Sequence, residues 1–172
     1  MISDETLMLE FQRGSPPAFE ELFARYKEPL SGFFRRRLAS TEVAEDLTQE
    51  TFMAVIRASE RYQPKALFRT YLYSIALNLL TAERRKLARN APLANETVEN
   101  AADSVFWVRE ALQKLEPSDR EILMLREYEQ LSYLEIGELL HIPINTVRSR
   151  LFRSRMALKS HLEPAREGVQ CT

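Results

Sequence analysis

SYLEIGELLHIPINTVRSRLFRSRMAL, residues Ser132–Leu158, decides the fold. Ser132 and Glu135 form an S-x-x-E capping box, which predicts a helix from Tyr133. Ile136, Leu139 and Leu140 give it one apolar face. His141-Ile142-Pro143 ends it, because proline disfavours helix in the residue before it. A second helix follows, with Val147, Leu151 and Leu158 spaced to pack inward. Its remaining surface carries Arg148, Ser149, Arg150, Phe152, Arg153 and Arg155. Two short helices with a tight turn and a cationic second helix read as a helix-turn-helix. Arginine forks suit phosphate oxygens and the guanine edge in the major groove. A recognition helix reads bases mainly from its N-terminal part, so Arg148, Ser149, Phe152 and Arg153 are the base-contact candidates. Asn145, Thr146 and Arg150 are the candidates for fixing the helix on the DNA backbone. An amphipathic surface helix with a solvated basic face is the plain alternative.

The rest of the chain is also helical in composition. In 172 residues there are only 4 glycines, and strand-like alternation is hard to find. The expectation is an all-α protein of two small helical domains joined by a flexible linker. No apolar run is long enough to span a membrane. The N-terminus is acidic and lacks a signal-peptide core. Cys171 is the single cysteine, so an intramolecular disulfide is excluded and a reducing cytoplasm is the expected setting. His141 and His161 have no partner at metal-ligand spacing and read as solvated or capping residues. No nucleophile with a base partner, metal cluster or glycine-rich phosphate loop is found. An enzyme is therefore not expected, and neither is a metal or cofactor.

The net charge of −1 conceals two basic patches. Residues 61–90 carry Arg61, Lys65, Arg69, Arg84, Arg85, Lys86 and Arg89 against Glu83. Residues 148–172 carry five arginines and one lysine against Glu163 and Glu167. Two patches in different halves suggest two contacts with one polyanion.

Along the chain, Leu7, Met8 and Phe11 predict a short helix ended by Gly14. Ser15-Pro16 opens a long amphipathic helix from Phe19 to Leu38, with Pro29 as the place for a kink. Thr41 is expected to cap a third helix to about Ser59. Gln63-Pro64-Lys65-Ala66 is a loop, and a fourth helix runs from about Leu67 to Arg89 with Phe68, Leu72, Ile75 and Leu79 facing in. These helices form one bundle, residues 1–89. Residues 90–103 are polar and acidic and read as the linker. A second unit, 104–163, holds a helix around Val108–Leu115, another opened by a Ser118/Glu121 capping box, and the helix-turn-helix. A frayed tail, 164–172, ends the chain.

Two helices carry further patterns. In the third, Ala44, Leu47, Thr51, Phe52, Val55 and Ile56 form the inward arc, while Asp46, Gln49, Glu50 and Met53 share the opposite face. Acids and an amide beside a methionine suit an arginine-rich partner, although a solvated face would look similar. In the fourth, Tyr71, Ser74, Asn78, Arg85 and Arg89 lie together, as rings, amides and cations do where single-stranded DNA binds. Half-buried packing would also account for Tyr71 and Tyr73.

DLTQETF (Asp46–Phe52), FRTYLYSIALN (Phe68–Asn78) and NTVRSRLFRSR (Asn145–Arg155) occur in one order across a linker. Together they resemble an extracytoplasmic-function (ECF) sigma factor of bacterial RNA polymerase, over roughly residues 5–162. The resemblance implies that the first unit is a sigma region-two bundle and the second a region-four domain. Asp46, Gln49, Glu50 and Met53 would meet the β′ clamp helices of core RNA polymerase. The loop Gln63, Pro64, Lys65, Ala66 and residue Asn78 would capture a base of the −10 element. Tyr71 would lie beside the melted strand, and Arg84, Arg85 and Lys86 would hold phosphates. Arg148, Ser149, Phe152 and Arg153 would read the −35 element, and the opposite face of that domain would pack on the β flap. Tyr71 stands where relatives usually have tryptophan, Ala82 where aspartate is frequent, and Asn145 where glycine is frequent at the turn. Asparagine tolerates positive φ, so Asn145 should keep that turn. No extra terminal domain is visible, so a separate anti-sigma factor is the expected regulator. The competing readings are a dimeric helix-turn-helix regulator acting without polymerase and a helical adaptor that never touches DNA.

Overall fold

A computed structural model describes residues 1–90 and 103–167. Among these residues the chain is all-α and divides into two compact units, Met1–Thr97 and Val98–Thr172. The linker expected at 90–103 lies outside the described residues, except that Asn90 ends one helix and Asp103 opens the next.

The first unit contains α1 (Asp4–Gln12), α2 (Pro16–Arg35), α3 (Thr41–Ala58), a 3-10 turn (Ser59–Arg61) and α4 (Phe68–Asn90). Side chains start the first helices: Ser3 Oγ accepts from the Thr6 N–H, and Pro16 occupies the first turn of α2. The cap of α3 is Ser40, whose Oγ accepts from Val43 N–H; Thr41, the expected cap, is the first helical residue. α2 continues through Pro29 to Arg35. Leu22, Leu30, Phe33 and Phe34 of α2 pack on Leu72, Tyr73, Ala76 and Leu80 of α4 and on Phe52 and Val55 of α3 in one buried core. Aromatic rings contribute to it, with Phe33 5.4 Å from Tyr73, and at its rim the more exposed Phe23 lies 4.8 Å from Phe52.

Two expected apolar faces turn out rotated. α4 buries Phe68, Leu72, Ala76 and Leu80, while Ile75 and Leu79 stay half-buried. α3 buries Thr48 with Ala44, Thr51, Phe52 and Val55, while Leu47 is half-buried and Ile56 exposed. Burial of the threonines is possible because each hydroxyl is satisfied within the helix, Thr48 on Ala44 O and Thr51 on Leu47 O at 2.7 Å.

The second unit contains α5 (Asp103–Gln113), α6 (Pro117–Glu127), α7 (Tyr133–Leu140) and α8 (Ile144–Glu167). α5 begins earlier than Val108. The Ser118/Glu121 capping box does not form: Glu116 is the cap residue, without a side-chain cap bond, and Pro117 opens α6. Proline fits the first helical position because that N–H has no helical partner to lose. At α7 the expected box is complete, Glu135 N–H to Ser132 Oγ at 3.2 Å and Ser132 N–H to Glu135 Oε2 at 2.8 Å. The helix expected to fray after Glu163 continues to Glu167.

Candidate polymerase and nucleic-acid interfaces

The turn between α7 and α8 aims the second helix. His141 takes the left-handed conformation (φ 55) at the C-cap of α7, and Ile142 N–H returns to Gly137 O at 3.0 Å. A Cβ on Gly137 would lie 2.9 Å from Ile142 O, so only glycine permits this approach. The residue with positive φ is thus His141, as a capping reading of that histidine anticipated. Asn145, expected at the turn, sits instead in the first turn of α8 with helical neighbours.

α8 is held by Val147, Leu151 and Ser154, all buried. Ser154 was not expected in the core. Its hydroxyl lies 2.6 Å from Arg150 O and 3.3 Å from Asp119 O, and its small size lets α8 cross close to α6. Leu158 is half-buried. This seating leaves Asn145, Arg148, Ser149, Phe152 and Arg153 outward, with Phe152 67% exposed. Thr146 and Arg150 flank them, half-buried, and Ser149 Oγ donates to Thr146 O at 3.1 Å. Among the described residues, Arg148 and Arg153 make no side-chain hydrogen bond or ion pair, so both forks are free for a ligand. Arg155 differs: it pairs with Glu127 at 2.7 Å, and that bond, then one to Tyr133, raises its already high pKa.

In the first unit, α3 presents Asp46, Gln49, Glu50 and Met53 outward, with Met53 47% exposed beside exposed Ile56. Glu50 pairs with Arg57 two turns further on. The stripe is therefore acidic at one end and apolar at the other. Sequence spacing found its four members but missed Ile56, which had been placed inside.

The loop Gln63–Ala66 is exposed throughout, with an internal bond from Lys65 N–H to Gln63 O at 2.8 Å that turns the chain at Pro64. Tyr71 stands half-buried above it, its ring 5.3 Å from Tyr62 and 6.2 Å from Phe68. Burial raises the Tyr71 pKa, so its phenol stays neutral. Tyr62 is buried, its hydroxyl has no protein partner, and desolvation pushes its pKa up to about 12. Asn78 is exposed two turns along α4, followed by Arg84, Arg85 and Lys86 on the exposed end of the helix. Tyr73, paired with Tyr71 by sequence, is instead core. Loop, half-buried ring, exposed amide and exposed cations thus follow one another in order along the chain.

No helix among the described residues is long and apolar enough to cross a membrane. Known proteins share both units. The family model described as Sigma-70 region 2 matches residues 22–90, and that described as Sigma-70, region 4 matches residues 106–158. The chain is 31% identical to the RNA polymerase sigma-H factor of Pseudomonas aeruginosa, covering 94% of each. It is 30% identical to the ECF RNA polymerase sigma-E factor of Escherichia coli, covering 95% of this chain and 96% of that one. Among solved structures, CnrH in complex with the cytosolic domain of CnrY superimposes with a TM-score of 0.73 at 26% identity, over 94% of this chain and 97% of that one. Two region matches in this order and near-complete alignment with such relatives establish that the chain belongs to the ECF sigma factors, regulators of transcription initiation.

Proposed function

We propose that the chain is a dissociable promoter-specificity subunit whose residues 1–89 and 104–163 act as two DNA-reading domains across the linker 90–103, with 164–172 as a tail. Asp46, Gln49, Glu50 and Met53 meet the β′ clamp helices of core RNA polymerase, the carboxylates pairing with basic side chains and Met53 with Ile56 filling an apolar contact. The face of the second domain opposite α8 packs on the β flap. Arg148, Ser149, Phe152 and Arg153 read the −35 duplex in the major groove, while Asn145, Thr146 and Arg150 fix the helix on phosphates. Gln63, Pro64, Lys65, Ala66 and Asn78 receive a base extruded from the −10 element. Tyr71 lies along the melted strand, and Arg84, Arg85 and Lys86 hold its phosphates.

Extruding a base costs a few kcal/mol, which ring stacking and hydrogen bonds to the base edge must offset. The polymerase makes every bond, and this chain supplies no catalytic group and needs no cofactor. It works in the cytoplasm, where core polymerase is, and a separate anti-sigma factor withholds it. That CnrH was solved bound to a protein partner, the cytosolic domain of CnrY, supports control by a bound partner.

The observation that carries the reading is the outward, unpaired Arg148 and Arg153 of α8 together with the exposed Gln63–Ala66 loop, Asn78, Arg84, Arg85 and Lys86. The test is in vitro transcription with bacterial core polymerase on a pool of promoter fragments. Start sites that need this protein and share paired upstream and downstream motifs are expected. Binding to isolated duplex without protein-dependent starts would overturn the reading.

A further inference from the structure

The base-capture loop has almost no restraint of its own. Residues 63–67 are all exposed, and Lys65 N–H to Gln63 O is their internal bond. Its ends, however, are gripped from far away in sequence by α1. The side-chain amide of Gln12 donates to the carbonyls of Ser59, Glu60 and Tyr62, at 2.8, 3.1 and 3.1 Å. These are the residues where α3 runs out into the loop. On the other side, Glu5 Oε1 accepts from the Phe68 N–H at 2.7 Å. Phe68 opens α4, so its N–H is one of the donors a helix start leaves unsatisfied, and a carboxylate there also meets the positive end of the helix dipole.

α1 is itself fixed. Asp4 accepts from Arg25 at 2.6 Å and from the Tyr26 hydroxyl, both on α2, and Leu7 and Met8 are buried in the core. One rigid helix therefore holds both posts between which the loop hangs.

We infer that α1 is the positioning element of base capture: Glu5 and Gln12 hold the ends of Gln63–Ala66 so that the loop and Asn78 receive the extruded base in one geometry. This rests on the capture role proposed above for that loop. Neither residue reaches the base. They are positioning residues, and their effect runs through the backbone at Tyr62 and Phe68. A flexible loop can supply the same groups, but it discriminates bases only when its approach is fixed.

The test uses the full chain reconstituted with core polymerase and promoter DNA carrying 2-aminopurine, one position at a time, on the non-template strand of the −10 element. A base drawn from the stack brightens. Asn78→Ala identifies the captured position as the one where brightening and base preference are lost. Gln12→Ala and Glu5→Ala should reduce brightening several-fold and flatten base preference at that same position. Core binding and −35 preference should persist. Glu5→Gln keeps an acceptor oxygen toward Phe68 N–H and should recover most of the signal. If Glu5→Ala fails to fold, Gln12→Ala and Glu5→Gln carry the test.

Wild-type base preference in Gln12→Ala, with Asn78→Ala defective, would overturn the brace and leave the capture role standing. An equal loss at every promoter position, −35 included, would reduce α1 to a structural prop and also overturn it. No response of any position to Asn78→Ala or Lys65→Ala would overturn the capture role, and the brace with it.

Discussion

Arg155 is turned back onto its own domain: its Nη2 and Nε lie 2.7 and 3.3 Å from the same oxygen of Glu127, Oε1, tying α8 to the end of α6. Both side chains are about half exposed, and pairs of this kind contribute roughly 0–1 kcal/mol. Arg148 and Arg153, on the same helix, have no such tie. Arg148→Ala or Arg153→Ala should cost about 1–3 kcal/mol on the cognate −35 sequence and relax its selectivity. Arg155→Ala should leave selectivity unchanged. Transcription competition between promoter variants, run at several salt concentrations, measures this. Equal loss on every sequence for Arg148→Ala and Arg153→Ala would mean that they touch phosphates alone.

Asp46→Arg combined with Glu50→Arg should abolish association with core polymerase. The fold should survive, because both side chains point outward and the pair lost, Glu50–Arg57, is exposed. Co-migration with core polymerase and circular dichroism report the two halves of the prediction. Undiminished association would remove the clamp contact from α3.

Gly137→Ala poses two opposed effects. Alanine favours helix over glycine by about 1 kcal/mol. Its methyl would also meet the Ile142 carbonyl at 2.9 Å, a backbone atom that cannot step aside cheaply. The second should win, with a loss of about 1–3 kcal/mol in urea unfolding. Ser132→Ala, which removes half of a capping box, should cost about 1 kcal/mol. A stabilised Gly137→Ala protein would show that the turn relaxes without penalty.

Tyr62 contributes to the sensitivity of the first unit to alkaline pH. Its folded pKa is raised to about 12, so the neutral phenol is the form that folding favours. The stability this represents is complete below the unfolded value of about 10 and is lost as pH rises from there through about 12. Tyr26 and Tyr71 shift in the same direction. Tyr62→Phe should therefore blunt the alkaline loss. At neutral pH it should be neutral or stabilising, because it removes a buried hydroxyl that has no protein partner. Urea titrations across pH, with tyrosinate absorbance, test both. A marked loss at neutral pH would contradict the account.

What could be read in advance follows the range of the interactions. The capping box at Ser132 and Glu135, the outward stripe of α3 and the arginine face of α8 are set by spacings of a few residues, and spacing is visible in a sequence. The seam of α4 was not. Ile75 and Leu79 are at least as apolar as Ala76 and Leu80, so hydropathy does not choose between the rows; the packing of the neighbouring helices does. Thr48 displaced Leu47 for a related reason, since a hydroxyl satisfied on its own helix no longer resists burial. The grip of Glu5 on Phe68 spans 63 positions, and no local pattern announces it.

The side chains of α8 proposed to read DNA are carried by the scaffold without contributing to it. Arg148, Phe152 and Arg153 project outward, while Val147, Leu151, Ser154 and Gly137 set the helix in place. Exchanging the former should redirect the protein to other promoters with little penalty in folding, one address at a time. Changes among the latter would disturb every address together. On that proposal, a lineage built on such a frame can diversify its targets quickly, because the part that would specify them is free to vary.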